Sequence, residues 1–321
     1  MTSDTVRVDH TNLLSVDQQT PLAVTLWTDP QAKTPACIVQ LVHGMAEHIE
    51  RYDGFARFLV QQGYAVIGHD HVAHGKSVVN QENPQEEWGH LSPNCGAEQL
   101  IEDVNTVRLY IAEKYPNVPH ILFGHSMGSF VVRAYIGVHG EGLTGVIICG
   151  TGWQNPLVLK SGKFLALTLA KFKGWKSKPD VLTNMTIGAY AKHFEGEEYP
   201  ALAWLSRDVA VREKYEKDPA CGFAFSIGGN HELFRLIEMS QDPVRAKGIP
   251  TNLPVLIISG QDDPVGDMGK APYEVEKFLR ADGLSNVEVH VWPGSRHELL
   301  NETNKDEVMQ TINAWIQGVL S

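Results

Sequence analysis

Gly124-His125-Ser126-Met127-Gly128 follows the apolar run Ile121-Leu122-Phe123 and precedes a long apolar segment, Ser129-Phe130-Val131-Val132 onward. The run at 121–124 predicts a strand and 126–139 a helix, so Ser126 falls at the junction. A serine in such a sharp turn is forced into strained backbone angles that lift its hydroxyl above the sheet. Glycines at 124 and 128 let neighbouring backbone approach closely. The helix start behind the serine offers free N–H groups and a positive dipole end, suited to an oxyanion. Outward from this point, strands are expected at 22–27, 37–43, 64–70, 146–149, 255–259 and 287–292. Helices are expected near 52–59 and over 97–115, 271–280 and 306–320. Strands alternating with helices imply parallel strands joined by crossovers. Such strands are covered on both faces, which explains their unbroken apolar runs.

A lone serine is a weak nucleophile at neutral pH and needs a base held by a carboxylate. On a sheet of this kind the chain order is serine, acid, histidine. The loop after the strand at 255–259 reads Ser259-Gly260-Gln261-Asp262-Asp263-Pro264 and offers two aspartates. An aspartate there can also simply cap a turn. Of the 14 histidines, His297 lies after the last strand and before the last helix, where the base belongs. An oxyanion hole needs two backbone donors. Met127 N–H, directly after the serine, is one candidate. Met45 N–H, in the loop His43-Gly44-Met45-Ala46-Glu47-His48, is the other; a core-facing Met45 is the plain alternative.

H-G-M-A-E-H (43–48), D-H-V-A-H-G-K-S (70–77), G-H-S-M-G (124–128), S-G-Q-D-D (259–263) and P-G-S-R-H-E (293–298) together resemble the monoacylglycerol lipase and lysophospholipase branch of the α/β hydrolases, also described as serine aminopeptidase-like. The resemblance implies the α/β-hydrolase fold, with a mostly parallel sheet and a helical cap inserted after the sixth strand. It divides the chain into a core of 1–152 and 251–321 and a cap of 153–250. It selects Asp263, three residues after the glycine, over Asp262. It implies a Ser126–His297–Asp263 triad, an acyl-enzyme, and no metal or organic cofactor. His69, His71 and His74 are then part of a structural loop tied down by Asp70 and Ser77, rather than metal ligands.

Composition sets outer limits. The chain has 321 residues and a formal net charge of -11, which argues against nucleic-acid partners for want of excess positive charge. Its four cysteines, Cys37, Cys95, Cys149 and Cys221, are scattered and read as buried free thiols. The polar start, with Asp4, Arg7 and Asp9, has no leader-like apolar stretch, and no run approaches membrane-spanning length. The cytoplasm is the expected location. Between 157 and 178 the chain carries Lys160, Lys163, Lys171, Lys173, Lys176 and Lys178 among apolar residues and no acid. This suits either an ordinary solvated helix or transient contact with a lipid surface. The expected substrate is a small amphiphilic ester, a monoacylglycerol or lysophospholipid. A broad short-chain carboxylesterase is the alternative. An aminopeptidase would need acids for the substrate ammonium, and Glu195, Glu197 and Glu198 are the candidates. A non-catalytic binding module would have no need of all three triad residues.

Overall fold

The computed structural model describes residues 6–188 and 190–321, with Thr186 and Ile187 described by backbone only. Met1–Thr5, half of the polar start noted above, lie outside the described residues. Eight strands form one sheet in the order β1-β2-β4-β3-β5-β6-β7-β8. They are β1 (Arg7–Leu14), β2 (Pro21–Thr28), β3 (Ile38–Val42), β4 (Ala65–His69), β5 (His120–His125), β6 (Gly145–Cys149), β7 (Val255–Gly260) and β8 (Val287–Trp292). β1 and β2 are antiparallel to their neighbours and every later pairing is parallel. β3 to β7 are buried along their whole length, as continuous Val/Ile/Leu runs require when both faces are covered.

The helices are α1 (Asp53–Gln61), α2 (Gly96–Lys114), α3 (Met127–His139), α4 (Pro156–Lys173), α5 (Asp180–Thr183), α6 (Val209–Lys217), α7 (Ile227–Ser240), α8 (Pro243–Ala246), α9 (Ala271–Ala281) and α10 (Lys305–Leu320). Alternate strand residues face two cores. On one side, Ile38 and Val42 pack with Val104 of α2, Val131 of α3 and Leu279 of α9. On the other, Val39 and Leu41 pack with Phe55 and Leu59 of α1 and Ile312 of α10. Between β6 and β7 the chain leaves the sheet to form α4 to α8. There α7 is buried among both the insertion and α3, and Gly162 of α4 lies so near that a Cβ would stand 2.7 Å from the Phe234 ring.

Two readings are corrected. β1 was missed, because its pattern is largely exposed and carries no apolar run. Cys95 is exposed, whereas Cys37, Cys149 and Cys221 are buried free thiols; Cys95 lies just ahead of α2 rather than in a strand. Among the described residues no helix is long and apolar enough to cross a membrane.

Candidate active site

Ser126 stands between β5 and α3 with φ 54° and ψ −119°, a region that side chains other than hydrogen rarely enter. Its neighbours over-determine the turn. Ser126 N–H donates to Cys149 O at 3.0 Å, and Ser129 Oγ donates to Ser126 O at 2.6 Å. The two glycines are needed for approach. A Cβ at Gly128 would stand 2.1 Å from Val42 O, and one at Gly124 would stand 2.4 Å from Gly128 O. The start of α3 is thereby pressed onto β5 and the end of β3.

The loops after β7 and β8 bring Asp263 and His297 together. His297 Nδ1 and Asp263 Oδ2 are 2.9 Å apart, both side chains buried. Asp263 Oδ1 accepts Val265 N–H at 2.9 Å, which fixes the carboxylate plane. A carboxylate only accepts, so the imidazole proton sits on Nδ1 and Nε2 keeps its lone pair. The ring lies between Trp204 and His125, with centroids 5.0 and 4.8 Å away. Asp262 is turned outward, half-buried, and its backbone N–H is spent on Ser295 O at 2.9 Å. Ser126 and His297 line one cavity. Among the described residues no hydrogen bond joins the serine hydroxyl to the imidazole, a contact that commonly tightens only with substrate bound.

Met45 and Met127 line the same cavity, and neither backbone N–H has an acceptor among the described residues. The Met45 donor is aimed by His43. His43 Nε2 accepts His71 N–H at 2.9 Å, so Nδ1 carries the proton and donates to Gly44 O at 2.8 Å. Gly44 C=O and Met45 N–H belong to one trans peptide and point in opposite directions. Anchoring the carbonyl in the core therefore turns the N–H away from it. Gly44 N–H is itself held by Glu47 Oε1 at 2.6 Å.

Glu47 is the centre of a buried network that the sequence reading missed. It also accepts Tyr52 Oη at 2.9 Å and pairs with Arg51, which binds Glu298 through two bonds of 2.7 Å. Burial works against the Glu47 charge, but Arg51 and His125 outweigh it and hold the carboxyl well below its usual range. Burial likewise opposes a charged His125, yet the bond to Glu47 raises the ring above the ordinary imidazole range. The available signal was the glutamate inside H-G-M-A-E-H with Arg51 and Tyr52 close behind it; His125 and Glu298, which complete the network, lie far off in sequence.

The cavity is walled by three helices. Its wall is apolar: Val158 and Leu159 from α4, Phe130 from α3, and Leu233, Phe234 and Ile237 from α7. Its acids, Glu47 and Glu298, are engaged by Arg51. Glu195, Glu197 and Glu198 do not line it; Glu197 is bound by Arg296 and Arg212, and the other two are exposed. Tyr190, half-buried beside Trp204 and lining the cavity, was also missed. Burial pushes its phenol up to about 12, so it faces the cavity as a neutral hydroxyl.

The histidines after β4 do not converge on an ion. His69 and His74 are pushed down to about 4 by burial, and neither belongs to a group of convergent ligands. Asp70 Oδ1 and Oδ2 accept Ile49 N–H and Lys76 N–H at 2.8 Å, and Ser77 Oγ donates to Asp70 O at 2.6 Å. That loop is tied down as expected.

Comparison with known proteins agrees with this architecture. The family model described as serine aminopeptidase, S33, matches residues 33–304. A monoglyceride lipase homolog of monkeypox virus is 29% identical, covering 88% of this chain and 90% of that protein. A monoacylglycerol lipase of Mycolicibacterium smegmatis is 26% identical, covering 90% and 89%. A thermostable carboxyl esterase from Bacillus coagulans, solved in complex with glycerol, superposes with a TM-score of 0.88 at 30% identity over 98% of this chain and 99% of its own. With its strained serine elbow, its helices inserted between β6 and β7 and this match over most of its length, the chain belongs to the serine aminopeptidase S33 family of α/β hydrolases.

Proposed function

We propose that the protein is a serine hydrolase of lipid-like carboxylic esters, monoacylglycerols or lysophospholipids, acting through an acyl-enzyme on Ser126. The observation that carries this reading is one largely apolar cavity lined by Ser126 and His297, with buried Asp263 paired to His297 behind it. In the proposed reaction His297 Nε2 takes the Ser126 proton as Oγ attacks the ester carbonyl. The oxyanion is met by Met45 N–H and Met127 N–H. His297 then delivers the proton to the leaving alcohol, and water repeats the sequence on the acyl-serine. Asp263 keeps the imidazole in the tautomer both steps need.

Residues 153–250 are assigned as the cap and 1–152 with 251–321 as the core. Leu157, Phe164 and Phe172 on α4 are 71%, 72% and 85% exposed. With the surrounding lysines they support transient docking of the cap on a lipid surface, by a protein that otherwise works in the cytoplasm. A short-chain carboxylesterase is the second reading, favoured by the likeness to the Bacillus coagulans esterase. An aminopeptidase is disfavoured because the cavity's acids are already paired.

The test is an activity profile on p-nitrophenyl esters from acetate to palmitate, with 1-monoacylglycerol and lysophosphatidylcholine in vesicles, for wild type and a Phe164→Ser/Phe172→Ser variant. The expected profile rises with acyl length. The variant should keep its rate on soluble butyrate and lose about 10-fold or more on vesicles, since two phenylalanines each contribute roughly 1.5–3 kcal/mol when buried. A maximum at acetate with equal loss on both substrates would instead establish the short-chain reading.

A further inference from the structure

Beside the loop that carries Met45, three donor atoms of three kinds meet. His48 Nε2 and Asp218 Oδ2 are 2.9 Å apart. Cys221 Sγ joins them so that all three atoms lie within 4.8 Å of one another. Among the described residues they are the one such group of three. The Cys221 thiol is a free cysteine. His48 comes from the loop after β3; Asp218 and Cys221 form the turn after α6. That turn is already seated on the loop, with Gly222 N–H and Tyr215 Oη donating to Ala46 O at 2.9 and 3.1 Å.

We propose that His48, Asp218 and Cys221 form a site for a zinc-class divalent cation, which clamps the insertion to the loop bearing Met45. The donor set of imidazole nitrogen, carboxylate oxygen and thiolate sulfur suits a borderline-soft ion and is foreign to calcium and magnesium. Metal–ligand bonds of about 2.0–2.3 Å set tetrahedral edges near ~3.5 Å. The His48–Asp218 contact must open slightly and Cys221 must swing in by about an ångström, adjustments within side-chain rotation. Water takes the fourth position. On binding, the thiol releases its proton to solvent. Before metal binds, His48 Nε2 donates its proton to Asp218; to ligate, the imidazole exchanges through solvent to the tautomer protonated on Nδ1, freeing the Nε2 lone pair, and the carboxylate binds without proton change. The ligands lie 170 residues apart, so the ion is a cross-link between insertion and sheet. It stabilises the folded chain to the extent that the unfolded chain cannot assemble the site.

The proposal is independent of the ester-hydrolase reading, and its test does not measure activity. Full-length protein, stripped with EDTA and exchanged into chelator-free buffer, is titrated with Co²⁺ and then Zn²⁺, following absorption, bound metal and Tm. Wild type should take up one Co²⁺ per chain with a thiolate-to-cobalt charge-transfer band that Zn²⁺ bleaches, and Zn²⁺ should raise Tm. Cys221→Ala should lose both the band and the Tm rise, while Cys95→Ala keeps them. Should Cys221→Ala fold poorly, Asp218→Asn serves instead, with Co²⁺ saturation displaced at least ~10-fold upward. Absence of the band in wild type, its loss in Cys95→Ala rather than Cys221→Ala, or wild-type affinity in Asp218→Asn would overturn the site.

Discussion

Asp262 and Asp263 are adjacent and chemically identical, and their environments separate them completely. Asp263 is buried and gives one oxygen to Val265 N–H and the other to His297. Asp262 faces outward. If Asp263 holds the imidazole in its productive tautomer, Asp263→Asn reverses the hydrogen-bond polarity and should lower kcat on a soluble ester on the order of 10⁴-fold. Asp262→Asn should stay near wild type. Comparable losses in the two variants would remove Asp263 from the proposed role. At this scale Ser126, Asp263 and His297 stood out as candidates because each is a reactive residue in the stretch just beyond a strand. The choice between the aspartates came from family resemblance; in the structure Asp263 is the buried one of the two. What the sequence could not display is the aiming of Met45 N–H. That depends on which nitrogen of His43 carries the proton, and so on a contact with His71 set by the tertiary fold.

Among the elements, β1 escaped recognition most clearly, although its partner β2 was expected at 22–27. An edge strand with one neighbour and exposed side chains has no reason to be apolar, so Arg7–Leu14 left no signal. Its end is fastened instead by polar contacts: Ser15 Oγ and Val16 N–H both donate to Asp103 on α2, each at 2.9 Å. Burial pushes the Asp103 carboxyl up from 3.8 to about 7, against those donors. Between those two values the folded chain holds a proton that the unfolded chain has released. Stability from this group therefore falls as pH rises through that window and is level above it. Asp103→Asn keeps an acceptor for Val16 N–H but cannot ionise. The drop in Tm between pH 5 and pH 7.5 should be smaller in Asp103→Asn than in wild type. An unchanged drop would mean that Asp103 ionises normally in the fold. The insertion was legible only as helical. Its helices pack on one another and on α3, so their apolar faces answer to partners remote in sequence, such as Phe234 against Gly162.

For the molecule as a whole, the strand–helix rhythm was enough to give the parallel sheet. Buried crossover strands must be apolar along their length, and their C-terminal ends gather the loops that carry function. That same geometry draws residues from the ends of β3, β5, β7 and β8 to one cavity mouth. The proposed docking of the insertion on a lipid surface was only partly suggested by the sequence, because lysines without neighbouring acids fit a solvated helix as well as a docking face; the exposure of Phe164 and Phe172 is what favours the docking face. The proposed reaction turns on a single atom, Ser126 Oγ, and on its activation by His297. A fluorophosphonate reports that directly, since it reacts covalently with an activated serine whatever the natural ester. Wild type should label at one site, the label should map to the peptide containing Ser126, and folded Ser126→Ala should remain unlabelled. Labelling that persists in Ser126→Ala, or a folded wild type that does not label, would exclude Ser126 as the activated nucleophile.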